Sequence, residues 1–338
     1  MSLFLWGEEI IMANKEQAEA IGDFLKEKDD FLITAHHAPD GDNLGACIGM
    51  YLALTENGKK AVIVNEDRFV ERFAFLLEEN KSPYIKYSDE PGGGKYKNVI
   101  ILDTAKFDRI GKVSNIIAED AEILNIDHHP TNEMFGSLNY VDSKAASASE
   151  LVHEILKGSG FSISRSVSDA LLSGLLSDTG GLRFENTNVR TVRNVLEFMS
   201  YGSNLADLTD RIFMRLSFSE TVKVSEIASK IELFRDEKLA LAYNDQEKNP
   251  LLENEPVLMI LSSIEEAEVS IFVRKNGHDF YKISIRSKGD FNVSEFSEGW
   301  NGGGHKNAAG IKFYGSYEEL RNGLLKDLRE KCLKYYRK

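Results

Sequence analysis

Residues 121–130 read AEILNIDHHP, an aliphatic run that stops on Asp127-His128-His129-Pro130. EILNID (122–127) has the Ile and Leu content of a buried strand. Two adjacent histidines directly after such a strand cannot both sit comfortably in a core. One can ligate a metal while the other faces a substrate, and Asp127 can fix a histidine tautomer from behind. The pattern recurs. FLITAH (31–36) runs into HHAPDGD, which holds His36, Asp40 and Asp42; NVIILD (98–103) ends on Asp103; and LLSGLLSDTGG, a helix-like run, holds Asp178.

Working outward, AVIVN (61–65) reads as a further strand. Residues 43–57 read as a helix with Gly58 as its stop, and helical stretches are expected around 68–79 and 107–118. Strands alternating with helices imply a parallel sheet covered on both faces, a Rossmann-like α/β domain over residues 15–214. Ligands of such sheets bind outside the carboxyl ends of the strands. His36, Asp103 and Asp127-His128 all fall at that end.

From 145 to about 235 the reading is mostly helical, over 165–178, 189–200, 204–214 and 217–234; the last is the candidate connector, giving a helical linker at 215–238. Strands follow at 239–244, 268–276 and 279–287, the last two joined by a hairpin at Asn276-Gly277. Then come the glycine-rich loop GWNGGGHKNAAG, a strand IKFY and a helix from about Ser316. Residues 239–338 are therefore expected to form a smaller C-terminal α/β domain with a mixed sheet. PGGGK (91–95) reads as a plain loop, since it lacks the helix start and trailing Ser or Thr of a phosphate loop.

The 338 residues carry a net charge of −13, with 42% hydrophobic and 28% charged residues. That balance excludes coating duplex DNA through a broad basic field. It leaves a small anionic substrate open where bound cations receive it. Cys47 and Cys332 offer neither a disulfide framework nor paired zinc spacing. MSLFLWGEEIIMA lacks the pattern of a secretory leader, and no run reaches membrane-spanning length. The expected setting is a reducing cytoplasm, with no membrane partner.

Each acidic cluster has a plainer explanation. Asp42 or Asn43 could merely cap a helix; that leaves His36 and Asp40 unexplained. An Asp after a strand, as at 103, often caps a helix or binds a ribose. Asp178 could be a simple helix-terminal residue, but its charge there opposes the helix dipole, and a metal would offset that cost. His153 and His278 read as packing or surface residues. Pro39 and Gly41 force a turn that lets Asp40 and Asp42 point to two neighbouring ions. Imidazole and carboxylate donors without thiolates suit two divalent ions, Mn²⁺ first among them. Such a pair can align a hydroxide with phosphorus and neutralise the leaving oxygen.

HHAPDGD, ILD, DHH and SDTG, in that order and at those separations, resemble the motifs of the DHH phosphoesterase superfamily; the late GGGH is similar to its DHH-associated C-terminal domain. The resemblance runs from about residue 15 over nearly the whole chain. Length and layout are most similar to the NrnA-type oligoribonucleases that also act as pAp phosphatases. It implies that His36 and Asp40 hold one metal, that Asp42, His128 and Asp178 hold the other, and that Asp103 bridges both. His129 would face the scissile phosphate as the catalytic residue. Arg286, Ser287 and Gly302-Gly303-Gly304-His305 would grip the far phosphate or terminal nucleotide. One departure is Gly45-Ala46, where family members often carry Ser after the Gly.

The implied activity is metal-dependent hydrolysis of short single-stranded RNA, linear dinucleotides included, to mononucleotides, and of the 3′-phosphate of 3′-phosphoadenosine 5′-phosphate (pAp), by hydroxide attack on phosphorus. Partners are thus short RNA or small phosphorylated nucleotides, with a homodimer as an open option. An exopolyphosphatase or inorganic pyrophosphatase on the same metal core, and a nucleotide-binding regulator without turnover, are the alternatives.

Overall fold

In the computed structural model, residues 15–69, 71–78, 85–87, 94–245 and 254–337 are described. The leader reading of residues 1–13 and most of the PGGGK loop lie outside them. The chain divides into two compact units, Met1–Met214 and Arg215–Lys338.

The first unit is built from α1 (Lys15–Glu27), β1 (Phe31–Ala35), α2 (Gly41–Glu56), β2 (Ala61–Asn65), α3 (Ala74–Glu78), β3 (Ile85–Tyr87), β4 (Tyr96–Leu102), β5 (Ile117–Asp127), β6 (Leu138–Val141), α4 (Ala148–Gly158), α5 (Arg165–Asp178), α6 (Val189–Ser200) and α7 (Leu205–Thr209). Its six strands are all parallel, in the order β3-β2-β1-β4-β5-β6. This is the doubly wound Rossmann order, and it reverses direction between β1 and β4. Crossovers leaving those neighbours go to opposite sides, so a crevice opens at their carboxyl ends. β1 is buried throughout, as a central parallel strand should be.

Two helical expectations are corrected. Residues 107–116 form 3₁₀ turns broken at Gly111, whose φ of 60° cannot continue a helix, and residue 117 already begins β5. Around 68–79 there is one 3₁₀ turn (Glu71–Phe73) and the short α3, with residues 70 and 79 outside the described set.

α2 is buried along most of its length because it packs directly on α5. Gly41, Gly45 and Gly49 make a stripe along α2. A Cβ on Gly45 would stand 2.6 Å from the Ala170 carbonyl and 2.7 Å from Gly174 Cα, so the two backbones touch. Gly41 meets Ser177 and Gly49 meets Leu171, so the helices run antiparallel. The start of α2 therefore lies beside the end of α5.

The second unit contains α8 (Phe218–Ala228), β7 (Glu232–Phe234), β8 (Leu239–Asn244), α9 (Asn254–Ser263), β9 (Val269–Gly277), β10 (Phe280–Ser287), α10 (Val293–Glu298), β11 (Gly303–His305), β12 (Ala308–Tyr314), α11 (Tyr317–Leu320) and α12 (Lys326–Tyr336). Its sheet runs β11-β12-β10-β9-β8-β7 and is mixed, with β8 and β9 the parallel pair. A parallel pair needs a crossover, and α9, a helix not anticipated above, supplies it. The expected connector carries α8 and edge strand β7, and α8 packs into a core with β8 and α9. GGGH is a strand of a hairpin rather than a loop. Among the described residues no helix is long and apolar enough to cross a membrane.

Candidate metal centre

Every metal-type side chain singled out in the first unit comes to one place. His36 follows β1, Asp103 follows β4, and His128 and His129 follow β5. Asp40 and Asp42 stand at the start of α2, and Asp178 ends α5. Asp103 is central. Its Oδ2 is 3.2 Å from His36 Nε2, and its Oδ1 is 3.5 Å from His128 Nε2 and 3.6 Å from His129 Nδ1. His128 Nε2 is also 3.3 Å from Asp178 Oδ2, and His36 Nε2 is 3.8 Å from Asp40 Oδ2. Most of these spacings are long for hydrogen bonds. Two donors bound to one ion at about 2.1 Å stand roughly 3.0–3.5 Å apart, so the spacing suits a shared cation. The donors divide into His36, Asp40 and Asp103, and Asp42, His128 and Asp178, each trio able to hold one ion.

Local structure explains how each donor is aimed. Asp103 has φ of +48°, a left-handed conformation that costs a non-glycine residue about 1–3 kcal/mol. Its amide donates to the Ile126 carbonyl, which ties the turn after β4 to β5. Asp40 caps α2 with Oδ1, accepting from the amides of Asp42 and Asn43, and leaves Oδ2 for His36. The capping and ligand readings of this motif are thus both satisfied by one carboxylate. Asp42, fully buried, accepts from the amides of Ala148 and Ser149 at the start of α4. His36 Nδ1 is 2.8 Å from the His37 carbonyl, which turns Nε2 toward Asp103.

His129 is oriented from behind. Its Nδ1 donates to Asp127 Oδ1 at 2.6 Å, leaving Nε2 to face outward. Asn132 donates to Asp127 Oδ2 at 2.6 Å and to Asn125 Oδ1 at 2.9 Å. Asn132 escaped the sequence reading because a lone Asn in a turn carries no pattern; only its spacing from Asp127 hinted at contact.

The electrostatics of the bare site are those of a cage lacking cations. Burial disfavours the charge on His36, but the Asp103 carboxylate outweighs it and lifts the imidazole to about 9. His128 is driven the same way, well above the usual range, because Asp103 and Asp178 outweigh its burial. Burial pushes Asp42 up to about 7 and, with Asp42 beside it, drives Asp178 well above the carboxylate range. Burial opposes ionisation of Asp103 too, yet the bonds from His128 and His36 hold it well below that range. Protons on the two histidines stand where divalent charge would serve all the carboxylates at once.

The residues expected to bind substrate lie in the second unit. Arg286, half-buried on β10, is 3.2 Å from Glu255. Ser287 donates to the Phe291 carbonyl at 2.7 Å and so also braces the following turn. A Cβ on Gly302 would lie 2.3 Å from the Gly310 carbonyl, and one on Gly304 2.3 Å from the Ala308 carbonyl. The hairpin itself requires those two glycines. Gly303 faces open space, and His305 is exposed. His153 is buried with Nδ1 2.6 Å from Asn194 Oδ1, and His278 is exposed, so both stand outside the cluster.

A parallel sheet with a carboxylate–imidazole cluster at its switch point defines the class. Residues 30–175 match the model of the DHH family, N-terminal domain, and residues 251–334 that of the DHHA1 domain. The chain is 30% identical over 319 residues to the bifunctional oligoribonuclease and PAP phosphatase NrnA of Thermus thermophilus, covering 93% of this chain and 95% of that protein. It is 26% identical to the protein of the same name from Bacillus subtilis, covering 90% and 95%. A crystal structure of an exopolyphosphatase-related protein from Bacteroides fragilis shares the fold with a TM-score of 0.85 at 24% identity, covering 96% of this chain and 98% of that one. The chain belongs to the DHH family of phosphoesterases.

Proposed function

We propose that this enzyme is a divalent-metal-dependent phosphohydrolase that degrades short oligoribonucleotides to mononucleotides and removes the 3′-phosphate of pAp. The carrying observation is the convergence of His36, Asp40, Asp42, His128 and Asp178 around Asp103. The printed activities of the Thermus and Bacillus relatives support the substrate class. We assign His36 and Asp40 to one ion, Asp42, His128 and Asp178 to a second, and Asp103 to both, with Mn²⁺ as the metal. When bound, such ions activate water and neutralise charge developing on phosphorus. His129, held by Asp127 and Asn132, donates Nε2–H toward the reacting phosphate. Arg286, Ser287 and Gly302–His305 are assigned to the rest of the substrate, where an arginine and open backbone amides favour phosphate.

The test is a panel with Mn²⁺: di- to pentanucleotides, pAp, linear products of cyclic dinucleotides, and pyrophosphate. Release of mononucleotides and of phosphate from pAp is expected, exceeding pyrophosphate turnover. Turnover of pyrophosphate alone would replace the reading with a pyrophosphatase, and binding without any turnover would make the chain a regulator.

The metal assignment has its own check. His36 holds its proton up to about 9 in the bare site, whereas a metal ligand needs that nitrogen free. At pH 8, Mn²⁺ binding is therefore expected to expel about one to two protons per chain. Calorimetry in two buffers of different ionisation enthalpy reads this directly, and an identical heat in both would remove His36 from the ligand set.

A further inference from the structure

One face of the second sheet carries a feature that the proposed chemistry does not use. Lys282 on β10 is the cross-strand partner of Lys312 on β12 and of Arg274 on β9. Partners directly opposite one another point to the same face, so three cations stand in one row across three adjacent strands. Two residues along, Phe280 and Tyr314 are also partners, their rings stacked with centroids 4.8 Å apart and planes 14° apart. Tyr314 is 73% exposed. In the other direction the same face passes through Ser284 opposite Gly310 to Arg286 opposite Ala308, and Ala308 is the partner of His305. The reverse face is the core side, with Tyr281, Ile283, Ile285, Ala309 and Ile311 buried. Lys282, Gly310 and Lys312 are exposed.

Like charges directly opposite on a sheet oppose folding. Three of them in register, in a chain of net charge −13, mark a surface shaped by something other than stability. We propose that this face is a track for single-stranded RNA, the cations of Arg274, Lys282 and Lys312 receiving backbone phosphates and the Tyr314–Phe280 stack receiving a base. The track rests on the oligoribonuclease reading, because it shares its face with Arg286 and His305. Six residues of strand separate Arg286 from Phe280, about 20 Å, room for several nucleotides rather than one. Asp279 and Glu319 border the aromatic end, so the last phosphate stops at the cation row and only a base continues onto Tyr314. A single row with an aromatic at its end suits one strand, whereas a duplex needs a broad basic field.

The test compares wild type with K282Q/K312Q and with Tyr314→Ala, on a dinucleotide and a pentanucleotide with Mn²⁺. Both variants are expected to cleave the dinucleotide as wild type does, with the pentanucleotide KM raised about tenfold. For the lysine pair, the dependence of log KM on log salt should flatten by about 1.4, the loss of two single-strand phosphate contacts. An unchanged pentanucleotide KM and salt slope would overturn the track. If the wild type cleaved no oligonucleotide, the catalytic reading would fall by itself. Metal-free filter binding of the pentanucleotide would then decide the track, weaker binding by the variants supporting it, and equal or absent binding refuting it.

Discussion

Asp103→Asn is expected to lower turnover of dinucleotides and pAp by about 10³-fold or more, equivalent to roughly 4 kcal/mol of transition-state stabilisation. The side chain keeps its size, so the effect is one of charge and donor strength. Asp103 is the one carboxylate that faces His36, His128 and His129 together. An amide there would present one weak oxygen and one nitrogen to a pair of ions that each need an anionic donor. Both proposed metal positions are damaged by a single substitution, whereas loss of Asp40, which is 55% exposed and reaches only His36, should harm one. Calorimetric titration with Mn²⁺ alongside kcat checks the cause. Strongly weakened binding at both sites with an unchanged circular dichroism spectrum is the expected pair of results. Wild-type kcat in the Asn variant would remove Asp103 from its central role.

How much of this centre could be seen in the chain depends on what local sequence encodes. The ends of β1, β4 and β5 are legible because an apolar run must stop where the strand meets solvent, and a polar donor at the carboxyl end of a parallel strand has few other uses. His36, Asp103 and His128 follow from that alone. Asp178 is legible only as an odd charge at a helix end. Its distance to His128 comes from helix packing, which no local pattern states. The hold on Asp42 by the amides of Ala148 and Ser149 spans more than a hundred residues and is invisible in sequence.

The helical reading of 107–118 failed for a definite reason. Ile110 and Val113 are spaced as on a helix and are both buried, but Gly111 takes a positive φ between them. β5 begins at Ile117, earlier than its apolar core suggests, because its first residues carry Glu and Asp at a half-exposed edge. α9 was passed over because its flanking residues resemble a loop. The parallel pairing of β8 with β9, which demands a crossover, is a tertiary fact.

Gly45→Ala is the sharpest test of how the fold positions the chemistry, and it touches no proposed ligand. The added methyl would lie 2.6 Å from the Ala170 carbonyl and 2.7 Å from Gly174 Cα. Backbone on both sides cannot rotate away, so α2 and α5 must separate. Overpacking of this kind costs about 1–3 kcal/mol. The functional cost is expected to be larger. α2 carries Asp42 and α5 carries Asp178, and both must reach the ion shared with His128. A shift of about 1 Å in such a constellation can cost 10²-fold in rate. Gly49→Ala, one turn further along α2, is the matched comparison. Its methyl meets the end of the Leu171 side chain, which can move, and the strain sits farther from Asp42. The expected outcome is a comparable fall in melting temperature for the two variants, with kcat and Mn²⁺ affinity reduced about 10²-fold only in Gly45→Ala. Equal activity losses in both would mean that general destabilisation, rather than the spacing of Asp42 and Asp178, governs the rate.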